Sequence, residues 1–115
     1  MKDKREAVRV GARLEVLYRK TEAPLIIGSR VKDLSEVGLR VPLKTHYDVG
    51  TLLEIEIRSE VLKKSIKAMA KIMRVIHTKE KNHPFEAGLK FISLSSEQQE
   101  LINQYIKEHG QDLNG

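Results

Sequence analysis

Leu25-Ile26-Ile27-Gly28-Ser29-Arg30-Val31-Lys32 and Gly38-Leu39-Arg40-Val41-Pro42-Leu43 are two apolar runs of strand character, joined by Asp33-Leu34-Ser35-Glu36-Val37. With Gly38 included, the junction reads D-x-S-x-x-G. Asp and Ser side chains fold back on their own backbone in tight turns, and a glycine supplies the positive φ that such a turn often needs. The stretch therefore reads as two strands around a turn, with Leu34 and Val37 as turn residues that pack. Gly28 marks a bulge or a close approach in the first run. Pro42 cannot donate to a ladder, so it puts the end of the second run at an edge or a bulge.

Period-two patterning continues in both directions. From Arg9, residues Val10, Ala12, Leu14, Val16 and Tyr18 share one face, and Gly11, Arg13, Glu15 and Arg19 the other, with Leu17 the apolar exception on the polar side. Lys20 to Pro24 is a turn. In Thr51 to Arg58, Leu53, Ile55 and Ile57 alternate with Glu54, Glu56 and Arg58. Over residues 65–77, Ile66, Ala68, Ala70 and Ile72 alternate with Ser65, Lys67, Met69 and Lys71. Ala68 to Met73 has helical propensity, but the even spacing and flanking turns favour a strand. Phe85, Ala87, Leu89 and Phe91 make a sixth strand. The period then changes. Ser95-Ser96-Glu97-Gln98 is a capping box, Leu101, Ile102, Tyr105 and Ile106 form a helical stripe, and Gly110 is placed to end the helix. Six strands with hairpin-length connections predict a mainly β protein, an antiparallel barrel or sandwich with one helix covering an open end or face.

The chain has 115 residues and 40% apolar content, which suits one folded domain. It has no cysteine, so it has no disulfide framework, thiol nucleophile or cysteine-based zinc site. No apolar run approaches the roughly 20 residues of a membrane span. The first six residues lack the apolar core of a signal peptide, so a cytoplasmic location is expected. His46, His77, His83 and His109 show no metal-ligand spacing, no serine sits in a nucleophile elbow, and no glycine-rich phosphate loop precedes a helix. The chain reads as non-enzymatic and without cofactor. Its net charge of +5 favours an anionic partner. Three tyrosines, two phenylalanines and no tryptophan argue against a single-stranded nucleic-acid surface, which stacks bases on exposed aromatics.

A basic cluster, Arg5-Glu6-Ala7-Val8-Arg9 with Lys4 beside it, precedes the first strand. An arginine plane stacks on a base, and its fork pairs with phosphate or with guanine O6 and N7. Either Arg5 and Arg9 or the D-x-S-x-x-G turn alone has an ordinary structural reading. Their joint order is more specific: R-x-x-x-R, then D-x-S-x-x-G with Gly38-Leu39-Arg40-Val41, then Gly88-Leu89-Lys90-Phe91 as a G-[VL]-x-F signature, then Leu94-Ser95 opening a capped helix. Over about residues 4–107 this resembles the PilZ domain, the bacterial receptor module for cyclic di-GMP.

The resemblance implies a six-stranded antiparallel split barrel with a C-terminal helix over residues 9–110. It also implies a flexible basic arm over residues 1–8 that folds across a ligand on the outer surface, and residues 111–115 read as a disordered tail. Carried over by position, Arg5 and Arg9 grip the guanines and phosphates. Asp33 accepts from the guanine Watson–Crick edge, Ser35 bonds near the phosphates and Gly38 lets the backbone come close. Arg40 adds a stacking or phosphate contact. Lys4 stands where many family members carry arginine; it lacks the planar fork, so one bound nucleotide and an intercalated pair both stay open. Ordering of the arm would pass the signal to a protein effector in motility, biofilm or exopolysaccharide control. Monomer and homodimer are both compatible with the sequence, and Met1 favours a free-standing chain. The alternatives are a ligand-independent interaction module of the same fold, which the presence of both motifs opposes, and a basic barrel that binds RNA or DNA, which would show steep salt dependence.

Overall fold

The structure, a computed structural model, describes the backbone of residues 10–114 and the side chains of residues 14–109. Lys4, Arg5 and Arg9, the basic half of the expected site, lie outside the described residues, as does the arm of residues 1–8. Six strands form: β1 (Val10–Lys20), β2 (Ile27–Leu34), β3 (Gly38–Leu43), β4 (Leu52–Arg58), β5 (Ile66–His77) and β6 (Phe85–Ser93), followed by α1 (Ser96–Asn114). Alternation prevails over propensity in β5, where Ile66, Ala70 and Ile72 are buried and Lys67 and Lys71 exposed.

All neighbouring strands pair antiparallel and close a barrel in the order β1-β2-β3-β6-β5-β4. Closure removes the edges that an open sheet would present. The interior is filled by the inward set of each strand, including Val16, Val31, Leu39, Leu53, Ile72 and Leu89. Helix α1 lies against β1 and β5 and adds Ile102, Tyr105 and Ile106 to the same core. Each such aliphatic side chain contributes about 1.5–3 kcal/mol when fully buried. Ser95 caps the helix: its Oγ accepts the Gln98 N–H at 3.2 Å. The helix then runs through Gly110 to Asn114, so residues 111–114 are helical where a disordered tail was expected. Gly110 keeps helical geometry there instead of the left-handed turn of a C-cap.

Three expectations shift around the opening stretch. Strand β2 spans Ile27–Leu34 instead of residues 25–32, so Leu25 and Ile26 are 68% and 57% exposed in the preceding connection. Asp33 and Leu34 join the strand because each has a directly opposed partner on β3, Arg40 and Leu39 respectively. Leu34 is fully buried, whereas Val37, expected to pack, is 49% exposed. A Cβ at Gly28 would make only ordinary contact with Leu17 Cδ2, at 3.6 Å, so no close approach requires the glycine there. Pro42 does mark a break. The β2–β3 register covers those two pairs alone, and beyond them the Ser29 hydroxyl donates to the Pro42 carbonyl at 2.7 Å.

Candidate functional site

The turn between β2 and β3 is held by Ser35. Its amide donates to the Gly38 carbonyl at 2.8 Å. Its hydroxyl accepts the Val37 and Gly38 N–H groups at 3.3 and 3.2 Å and lies 3.3 Å from the Gly38 carbonyl. Ser35 is fully buried, so its described role is to lock the turn. The Phe91 N–H donates to the Val37 carbonyl at 2.9 Å and ties the turn to β6. Gly38 is required for a reason other than φ. It is not a positive-φ residue, unlike Gly50 at 97°. A Cβ at Gly38 would collide with the backbone carbonyl oxygen of Leu89, so the glycine lets β3 and β6 approach.

Asp33 and Arg40 are directly opposed on β2 and β3, which puts both side chains on the outer face. Arg40 directs Nε (2.6 Å) and Nη2 onto Asp33 Oδ2. Its Nη1 reaches Glu86 Oε2 at 3.5 Å, and Lys32 Nζ donates to Glu86 Oε1 at 2.8 Å. The carboxylates lie beneath the cations: Asp33 and Glu86 are buried and Arg40 is half exposed. The hydrogen bond to Asp33 holds the Arg40 guanidinium above its ordinary pKa; burial opposes this and the Asp33 and Glu86 charges reinforce it. Charge-assisted bonds in a fork fix orientation as well as adding energy.

The expected residues Asp33, Ser35, Gly38 and Arg40 thus meet at one corner of the barrel. Lys32 and Glu86 belong to the same cluster and went unrecognised in the sequence. Their signal is register: Glu86 faces Pro42 across β3–β6, two residues from the pair Arg40–Gly88. Among the described residues, no group of three or more His, Cys, Asp or Glu is arranged to hold a metal ion. An apolar groove of about 460 Å³, lined by Leu17, Ile26, Ile55, Ala68 and Met69 among others, lies over β1, β4 and β5, away from the motif residues. Among the described residues, no helix is long and apolar enough to cross a membrane.

Asp33 and Arg40 thus lie on the outer face of a closed, helix-bearing barrel, beside the turn that the buried Ser35 locks. The chain belongs to the PilZ domain family, whose model matches residues 3–108. No curated protein matches it. Among solved structures, the Bacillus subtilis inhibitor of motility MotI/DgrA superposes with a TM-score of 0.81 at 22% identity, over 98% of this chain and 53% of that one. The PilZ domain of Escherichia coli YcgR, solved with c-di-GMP, gives 0.74 at 14% identity, over 96% of this chain and 95% of that one. The K. pneumoniae MrkH–c-di-GMP complex gives 0.80 at 14% identity, over 98% of this chain and 55% of that one. The chain therefore spans about half the length of MotI/DgrA and of MrkH.

Proposed function

We propose that the chain is a receptor for cyclic di-GMP, bound on the outer face around β2 and β3. The observation that carries this reading is the directly opposed Asp33–Arg40 pair beside the Ser35-locked turn. A carboxylate accepts from the N–H donors of a guanine edge, and a guanidinium serves phosphate, guanine O6/N7 or a base plane. Family membership and the c-di-GMP complexes of YcgR and MrkH support it. In the ligand-free protein Arg40 holds Asp33, so a guanine edge competes with Arg40 for the carboxylate. Ser35 and Gly38 serve the ligand by fixing the turn that presents Asp33. Arg5, Arg9 and Lys4 supply the second, basic half from the N-terminal side. Their ordering over the ligand relays the signal to a protein effector, without catalysis. Among motility, biofilm and exopolysaccharide control, the likeness to a motility inhibitor favours motility.

Isothermal titration with cyclic di-GMP tests the reading. Binding should weaken by about 1–3 kcal/mol in Asp33→Ala, Arg5→Ala and Arg9→Ala if each removes a good guanine contact. Absence of both heat and thermal stabilisation at tens of micromolar nucleotide in moderate salt would sink it.

A further inference from the structure

Arg74 lies outside both sequence motifs. Counting alternate residues along β5 from the buried Ile66, Ala70 and Ile72 sends position 74 to the interior. The protein does otherwise. The β5–β6 register runs Ile72↔Leu89 and then Arg74↔Gly88, with Met73 inserted as a bulge. The bulge turns Arg74 outward and lets Val75 and Ala87 face the core side. Bulges re-aim side chains in this way and are over-represented beside functional sites.

The re-aimed arginine arrives in a particular row. Asp33 opposes Arg40, Arg40 opposes Gly88, and Gly88 opposes Arg74. Directly opposed residues share a face, so Asp33, Arg40 and Arg74 line one outer strip across four strands. Strands are about 4.8 Å apart, which sets Arg40 and Arg74 roughly 10 Å apart at the backbone. Gly88 between them has no side chain. A Cβ there would stand 3.3 Å from Arg74 Cγ and 3.9 Å from Cδ, so the Arg74 stem leans across β6 toward Arg40.

Charge completes the argument. Lys32 and Arg40 are both engaged in ion pairs with Glu86 and Asp33. The Arg74 side chain makes no hydrogen bond or ion pair among the described residues, and neither does that of Lys90, on the adjoining row where it opposes Gly38. A ligand carrying two phosphodiester charges needs cations that are not already balanced.

We propose that Arg74 is a further ligand-binding residue of this face, donating to a phosphodiester of the nucleotide whose guanine edge reaches Asp33. This rests on the cyclic di-GMP reading above. The test is isothermal titration of cyclic di-GMP into the full chain carrying Arg74→Gln or Arg74→Lys, with Asp33→Ala alongside and ligand-free melting of each variant. Arg74→Gln should bind about 10-fold or more weakly, as expected for a lost charge-assisted hydrogen bond. Arg74→Lys keeps the charge and should stay within about 3-fold of the parent, and neither should melt differently without ligand. Arg74→Gln binding like the parent while Asp33→Ala fails would overturn the Arg74 assignment and leave the receptor reading standing. Arg74→Lys as weak as Arg74→Gln would overturn the phosphate contact. A parent chain that does not bind the nucleotide overturns both readings together.

Discussion

Replacing Gly38 with alanine should destabilise the ligand-free protein by roughly 3 kcal/mol. Gly38 opens β3 opposite Lys90 of β6. Its added Cβ would collide with the Leu89 carbonyl oxygen, with Leu89 C at 3.0 Å and Lys90 Cα at 3.2 Å behind it. These are main-chain atoms of a strand paired on both sides, so no rotamer change relieves the clash. The backbone must move on the order of an ångström, and overpacking of that kind costs about 1–3 kcal/mol. The same movement strains the Ser35 N–H to Gly38 carbonyl and Phe91 N–H to Val37 carbonyl bonds, each worth about 1 kcal/mol net. Urea unfolding followed by circular dichroism, without nucleotide, reads the loss. The melting temperature should fall by about 10 °C for a chain of this size. Gly88→Ala is the control, since its Cβ would meet only the flexible Arg74 stem, at 3.3 Å from Cγ. That change should alter stability by less than about 0.5 kcal/mol. A Gly38→Ala protein as stable as its parent, yet unable to bind nucleotide, would refute the reasoning. The glycine would then serve only the approach of a ligand.

Three further outcomes follow from the core and the helix. Burial, with Tyr47 adding to it, pushes the Tyr18 hydroxyl up to about 12. Its folded value lies above the unfolded one, so its contribution is complete below about pH 10 and is lost as pH rises toward 12. The loss is about 1.4 kcal/mol per pH unit; urea midpoints measured through that window should fall less steeply in Tyr18→Phe than in the parent. Ser95→Ala removes the cap that accepts the Gln98 N–H and should cost about 1 kcal/mol in urea-unfolding stability. Ile102 is fully buried between α1 and the barrel, and Ile102→Ala should cost about 2–5 kcal/mol by the same measurement.

The strands were legible wherever a solvated outer face opposed a filled interior. Strand β4 shows this: Leu53, Ile55 and Ile57 are buried and Glu54, Glu56 and Arg58 are not. Ser95 and the stripe of Leu101, Ile102, Tyr105 and Ile106 located α1 for the same kind of reason, since capping and the 3.6-residue period are both local. The bounds of β2 were not local. Leu25 and Ile26 are apolar enough for a strand, but the strand ends at Leu34, where Asp33 and Leu34 find partners across β3. Hydrophobicity marked a segment, and pairing decided which part of it was sheet.

The candidate site divides along the same line. Asp33, Ser35, Gly38 and Arg40 are close in sequence, and the structure brings them together. Ser35 uses its hydroxyl within the turn, as the turn reading suggests, but the reason for Gly38 differs: it answers a clash with β6, not a need for positive φ. Glu86 and Lys32 enter only through cross-strand register, 54 residues apart in the chain. Arg74 is harder still to see. Parity from Ile72 places it inside, and no glycine near Met73 announces the bulge that reverses it. A single inserted residue exchanges the two faces of everything beyond it in the strand. The cations a barrel displays on a given face are therefore a property of its register, and a motif reports only the part of the site that one turn carries.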